Sequence, residues 1–167
     1  MKGIAIAILI VLLLGVVIQP LIETSNVLKE KVTLGAAILS SCRAARGNAL
    51  MDERMRDLNA NIDEDIFKHY FAEAFSETLG VYLSSPSGLH GRMEFTSPSG
   101  RWDQITVDLT LQSPHEIYFS GHEVIQAEIY LSTPYVFRTP LLRDAAALLP
   151  NSFEITETRN FEAQIIN

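Results

Sequence analysis

The feature that most constrains this chain is an apolar segment that begins at the third residue. Gly3–Ile18 contains no charged or polar side chain, and after Gln19 and Pro20 the pair Leu21–Ile22 extends the segment to 20 residues. A helix rises about 1.5 Å per residue, so such a segment spans roughly 30 Å, the thickness of the hydrocarbon core of a bilayer. The first acidic residue is Glu23. The segment is therefore predicted to be a transmembrane helix.

Two other interpretations of this segment fit less well. A cleaved secretory signal has a positive N-terminal region and a small-x-small cleavage site. Here only the α-amine and Lys2 precede the segment, and residues 19–25 contain no A-x-A pattern. A buried helix of a soluble protein is a poor fit, because so long a run that is apolar all round leaves no face for water. We therefore divide the chain into a transmembrane helix, residues 1–22, and an extracytoplasmic α+β domain, residues 23–167.

The orientation of the span is only weakly encoded. Lys2 precedes it, and Lys29 and Lys31 follow soon after, so a count of cations does not decide the topology. The short N-terminal tail and the folded C-terminal domain favour a cytoplasmic N-terminus and an extracytoplasmic domain. The protein as a whole would then be a single-pass membrane protein, or a subunit of a surface filament. Pro20 lacks a backbone donor and is expected either to bend the helix or to end it at the membrane surface.

Composition narrows the classes of function. Lys and Arg total 13 against 20 Asp and Glu, a net charge of -7, which argues against a nucleic-acid partner. A single cysteine excludes an intrachain disulfide framework and a cysteine-based zinc site. No nucleotide-binding or hydrolase motif is present, and the spacing of His115 and His122 in a predicted turn matches no usual metal site. We therefore expect no enzyme activity, catalytic residue, cofactor or metal.

Small residues recur in the segment that follows the apolar run. Gly35, Ala36, Ser40, Ala44 and Gly47 lie at steps that place them close together on a helix, where they would leave a groove for close packing. Two interpretations stay open: the groove packs on the domain's own sheet, or it receives a helix of another molecule. Cys42 in the same segment is expected to be a buried, unreactive thiol.

The rest of the domain divides into helix and then strand. Residues 51–61 are polar and predict a loop or a frayed helix end. A second helix, capped by Asn61 or Asp63, carries an aromatic stripe and stops at Gly80. Alternating apolar residues then predict an antiparallel sheet with one face in water and the other covered by the helices. The predicted strands are Met93–Phe95, a long strand from Trp102 to Gln112, Ile117–Phe119, Ile125–Leu131, Phe153–Ile155 and Phe161–Ile166, with a short helix at Leu141–Leu149.

A membrane helix that continues into a small-residue amphipathic helix and then an antiparallel sheet resembles the plan of type IV pilins. The stretch Leu34–Leu50, with the sequence CRAARGNAL at its end, is similar to the pattern after the membrane helix of TadE-like pseudopilins of tight-adherence systems. The resemblance covers about residues 1–80. It implies a pilin-like fold and processing after a glycine, for which Gly3 is the candidate. Cleavage there would place Ile8 at the fifth mature position, where the family usually has glutamate.

The resemblance implies two uses for the apolar helix. It would anchor the subunit in the lipid bilayer and then pack against copies of itself or other pilin-like subunits in a filament. The residues assigned to anchoring and assembly are Gly3, Ile8, Leu12, Gly15 and Pro20. The first hypothesis is therefore a minor pilin or pseudopilin-like structural subunit of a surface filament or secretion apparatus. The second is a single-pass anchored binding domain that does not polymerise.

Overall fold

A single long helix organises the fold. The computed structural model describes residues 2–55, 64–84, 92–117, 122–148 and 152–165. The described helices are α1 (Lys2–Met55), α2 (Glu64–Leu79) and α3 (Pro140–Ala147). The strands are β1 (Tyr82–Leu83), β2 (Arg92–Thr96), β3 (Gln104–Ile117), β4 (His122–Pro134) and β5 (Glu154–Ile165). The predicted α+β class, with an N-terminal apolar helix and an antiparallel sheet, is confirmed.

Helix α1 passes through Pro20 without ending. The sequence left open whether this proline bends or ends the helix, and the α-helix continues for 54 residues to Met55. A proline removes one backbone donor, and in a long apolar helix the loss of a single hydrogen bond is outweighed by the bonds on either side. The predicted boundary between residues 22 and 23 therefore lies within one helix. The polar stretch 51–61 is helical up to Met55, and the proposed caps Asn61 and Asp63 lie outside the described residues.

The five strands form one antiparallel meander in the order β1-β2-β3-β4-β5. The two long pairs run along most of β3, β4 and β5, with a register shift between Gln112 and His115. Alternation along β3 buries Ile105, Val107 and Leu109 on the face that α1 and α2 cover. The other face is in water, as predicted.

Three predicted strand boundaries are wrong. The long strand begins at Gln104, because Trp102 lies in a bend that follows the left-handed Gly100 (φ 64°). Of the predicted strand Ile117–Phe119, Ile117 is the last residue of β3 and Phe119 lies outside the described residues, and His115 and His122 lie on paired strands and not in a turn. The two short C-terminal strands are one continuous strand, β5. The apolar pattern breaks in the middle of β5 because charged side chains meet α1 there.

Those charged side chains lie in close contact with α1. The Glu157 carboxylate is buried, with Arg159 Nη2 2.6 Å and Lys31 Nζ 3.6 Å from its oxygens. A Cβ on Gly35 would lie 3.0 Å from Arg159 Nη2 and 3.1 Å from Glu157 Oε1. Gly35 therefore gives the ion pair room to lie against the helix. This position packs on the domain's own sheet, one of the two alternatives that the sequence left open.

The core is built from one face of α1, the aromatic stripe of α2 and the covered face of the sheet. Phe75 stacks on Phe71 with ring centroids 5.6 Å apart and packs on Phe95 of β2 at 4.9 Å. The buried face of α1 follows helical steps, and its residues are Leu34, Ala37, Ile38, Ser41, Cys42, Ala45 and Ala49. Small side chains at four-residue steps along this face let neighbouring elements approach α1 closely. Burial raises the pKa of Cys42 to about 12, which keeps the thiol protonated and poorly nucleophilic.

Candidate functional site

A cleft of about 680 Å³ lies where the apolar part of α1 meets the domain. One wall is α1 from Gln19 to Glu30. The opposite wall combines the turn before β3 with the connector from β4 to α3, residues 134–140. The lining that the structure describes is mixed in charge, with acidic, basic, amide and aromatic side chains, and contains no Ser, Cys or His. This composition suits the binding of a surface or ligand by packing and ion pairing.

Glu23, the first acidic residue after the apolar segment, joins α1 to the connector between β4 and α3 on one side of this cleft. Its side chain is only 6% exposed. Its Oε1 accepts a hydrogen bond from the Arg138 backbone N–H, and its Oε2 accepts one from the Thr139 backbone N–H at 2.8 Å. Thr139 is the N-cap residue of α3 and makes no cap bond through its own side chain to that helix. Glu23 therefore places a negative charge at the positive end of α3 and ties α3 to α1.

Ionisation of Glu23 is a balance of opposing effects. Burial disfavours the charged form, but hydrogen bonds from the Thr139 side chain and from the backbone N–H groups of Arg138 and Thr139 outweigh it. The result is a pKa for Glu23 below its ordinary value of 4.5. The carboxylate is thus charged at neutral pH and stabilises the folded state in that form.

A second contact, two helical turns further along α1, joins this helix to the turn before β3. The Arg101 guanidinium donates to both oxygens of Glu30, with Nε–Oε1 3.1 Å and Nη2–Oε2 2.8 Å. This two-point geometry fixes the orientation of both side chains. The same guanidinium lies 4.4 Å from the centroid of the Trp102 ring. The turn before β3 is therefore held on α1 by one arginine that contacts both an acid and an indole.

Aromatic rings of the connector from β4 to α3 pack on one another and on the start of the segment that leads into β5. Phe137 packs on Tyr135 and Phe153, with ring centroids 5.2 Å and 4.8 Å apart, and the Tyr135 N–H donates to the Phe153 carbonyl at 2.9 Å. Val136 between them points away and is 78% exposed. The alternation leaves Tyr135 and Phe137 half-buried and presents the aliphatic Val136 side chain in the cleft lining that also includes Pro140 and Ile22.

Replacement of Glu23 by glutamine is expected to destabilise the domain by about 1 to 3 kcal/mol at neutral pH, the usual value of hydrogen bonds to a charged group. Because the pKa of Glu23 is lowered in the fold, this stabilisation is complete above pH 4.5 and disappears as the pH falls through the lowered value. The measurement is urea unfolding of the full chain in detergent, followed by the fluorescence of Trp102, its single tryptophan. A difference between the two proteins that stays constant down to pH 3 would contradict this assignment.

The apolar segment projects from the domain beside the cleft. Every side chain from Gly3 to Ile22 is exposed except the half-buried Pro20, and this includes the predicted anchor residues Gly3, Ile8, Leu12 and Gly15. By length and composition, α1 is a helix that could cross a membrane. A signal sequence shares these two properties.

The predicted packing residues divide between two faces of α1. Gly35 is buried against β5, whereas Ala36, Ser40, Ala44 and Gly47 are exposed. Leu28 and Val32, which precede these four residues on α1, are each 63% exposed. Four of the five small residues that the sequence predicts for packing thus lie on the outside, and apart from Gly35 the domain's own core uses a different set of small residues. An intermolecular role for the exposed set stays a prediction.

The histidines do not converge in the part of the chain that the structure describes. His69 is exposed on α2, His115 and His122 lie on β3 and β4, and His90 is outside the described residues. Within the described ranges, no three side chains of His, Cys, Asp or Glu are grouped as a metal site would require.

Comparison of the chain with protein-family models, with curated proteins and with solved structures gave no match.

Proposed function

We propose that this chain is a pilin-like or pseudopilin-like structural subunit, anchored by residues 3–22, of a surface filament or secretion apparatus. The observation that carries the proposal is the helix that continues without interruption from the exposed apolar segment into the domain core. A domain that only needs tethering is commonly joined to its anchor by a flexible linker. Here Glu23 and Glu30 fix the domain to the helix from the first residues after the apolar segment.

The exposed face of α1 supplies a route to assembly. Leu28, Val32, Ala36, Ser40 and Gly47 form a stripe on the side of the helix that faces away from the core. Large apolar side chains at one end and small ones at the other allow a neighbouring helix to pack closely along it. In the proposed assembly this stripe continues the contacts of the apolar segment, with Ile8, Leu12 and Gly15 inside the filament and the N-terminus originally on the cytoplasmic side.

The cleft favours a second candidate, an anchored domain that binds a partner and does not polymerise. The cleft lies next to the end of the apolar segment, and its lining combines mixed charges with the exposed Val136. Both features are found in binding surfaces as well as in subunit contacts. The two candidates differ in what shear releases from cells. A filament subunit is released in assembled form, and an anchored binder stays in the membrane.

The test compares intact masses of the native protein in sheared surface material and in membranes. We expect a sheared species that lacks residues 1–3, the product of processing at Gly3. A full-length species confined to membranes would overturn the proposal and favour the anchored binder. The variant Leu28→Asp separates anchoring from assembly: it should remain membrane-bound but be lost from the sheared fraction, whereas Tyr82→Asp, also exposed but on β1, should behave as the wild type.

A further inference from the structure

Helix α3 has no buried side chain, although five of its eight residues are leucine or alanine. Leu141, Ala145 and Leu148 follow the i, i+4, i+7 spacing of one helical face, and all three are exposed, Leu148 by 87%. Arg143 lies on another side of the helix, and Asp144, three residues after Leu141 and four before Leu148, lies at the edge of this face with its carboxylate exposed and 3.9 Å from Arg143 Nε. An amphipathic helix whose apolar face is outside the core needs another apolar phase to cover that face.

The position of α3 identifies that phase. Glu23 binds the two backbone N–H groups immediately before α3, so the start of α3 is fixed beside the first residue after the apolar segment. Pro140 and Val136 share the cleft wall with Ile22 and Gln19. The headgroup zone of a bilayer is about 5 to 8 Å thick on each side, which equals about four residues of a helix along its normal. If residues 3–22 occupy the hydrocarbon core, α3 begins inside the headgroup zone.

We propose that α3 and Val136 form a second membrane contact, in which Leu141, Leu148 and Val136 enter the surface of the same bilayer that α1 crosses. This inference rests on the proposed anchoring of residues 3–22. A helix of this kind lies along the interface with its apolar face about 5 to 10 Å deep. Lys29, Arg138 and Arg143 are exposed near this surface and suit the phosphate groups of lipid heads.

A bilayer is a better occupant of this surface than a second protein. Three aliphatic side chains offer far less than the roughly 800 Å² per partner that a stable protein interface buries. The bilayer needs no separate association step, because α1 already holds α3 beside it at a high effective concentration. The contact would set the tilt and rotation of the domain relative to the membrane, with α1 and α3 as two points of support.

The test places an environment-sensitive fluorophore on single introduced cysteines of the full chain in phosphatidylcholine vesicles. Cys42 is buried, with its pKa raised to about 12, and serves as an unlabelled background. The test positions are Leu148→Cys and Val136→Cys. Arg143→Cys reports another side of α3, Tyr82→Cys is the aqueous control and Leu12→Cys reports the span. Quenching is measured with nitroxide lipids and with aqueous iodide.

We expect labels at positions 148 and 136 to lose about half of their emission to nitroxide lipids and to be shielded from iodide, with position 143 intermediate and position 82 unaffected by the lipids. If position 12 is quenched by nitroxide lipids but position 148 behaves like position 82, the inference fails while the anchoring stands. If position 12 is not quenched by the lipids, the anchoring itself fails. Shielding of position 148 that depends on protein concentration, without quenching by the lipids, would assign the surface to another copy of the chain and overturn the inference.

Discussion

Replacement of Leu12 by aspartate is expected to shift the protein out of the membrane fraction by roughly a hundredfold in partitioning. Leu12 lies in the middle of the apolar segment with 60% of its surface exposed. An aspartate at the centre of a membrane helix costs about 3 kcal/mol, and each 1.4 kcal/mol is a factor of ten. Ile8→Asp should act in the same direction, and the double variant should abolish membrane retention. The measurement is the fraction of protein that resists carbonate extraction.

Leu28→Asp is the matched control for this prediction. Leu28 lies on the same helix with nearly the same exposure, 63%, but six residues beyond the end of the apolar segment. Because it lies outside the predicted hydrocarbon core, its replacement should leave carbonate resistance unchanged. Equal partitioning of the Leu12→Asp and Leu28→Asp proteins would show that the apolar segment does not act as an anchor.

Truncation of Phe75 to alanine is expected to lower the free energy of unfolding by about 3 to 5 kcal/mol, the usual cost of removing a fully buried phenylalanine. Phe75 is completely buried and joins α2 to the sheet through its contact with Phe95. Single domains are stable by only about 5 to 15 kcal/mol, so this change removes a large share of the total. Urea unfolding followed by Trp102 fluorescence reports the domain separately from the apolar segment, which contains no tryptophan.

Tyr82→Ala provides the comparison, because Tyr82 is an aromatic residue of similar size that is 67% exposed on β1. Its truncation should change the unfolding free energy by less than about 0.5 kcal/mol. If the two truncations had equal effects, the aromatic stripe of α2 would not be the centre of the core.

The elements with a strong period could be predicted from the sequence. The aromatic stripe of α2 and the alternation of Ile105, Val107 and Leu109 each result from burial of one face. Burial of one face makes apolar residues recur at regular steps along the sequence, so both elements can be predicted from it. The break in β5 could not, because Glu157 and Arg159 occupy the covered face as an ion pair against Gly35. A buried carboxylate such as that of Glu157, paired with the partly exposed Arg159, resembles an exposed surface in sequence, and only the neighbouring helix explains it.

The cleft was also beyond sequence analysis. Glu23 and Arg138 are separated by 115 residues, because the chain runs through α2 and the strands β1 to β4 before it returns to α1. No local pattern records such a contact. The one available signal is the position of Glu23 as the first acidic residue after an apolar run, and by itself that position indicates only where the run ends. For the small residues of α1, the spacing indicated close packing but did not distinguish the inner set from the outer set.

The continuity of α1 has a mechanical consequence. From Ile22 to Met55 the helix extends about 50 Å past the end of the apolar segment, and the domain is attached along most of that length. In the proposed membrane-anchored subunit, the helix therefore acts as a lever whose fulcrum is the bilayer surface. A change of about 10° in the tilt of the span, well within the range of membrane helices, would sweep the far end of the lever through about 9 Å. Bilayer thickness or a pull on the apolar end would thus be converted directly into displacement of the domain.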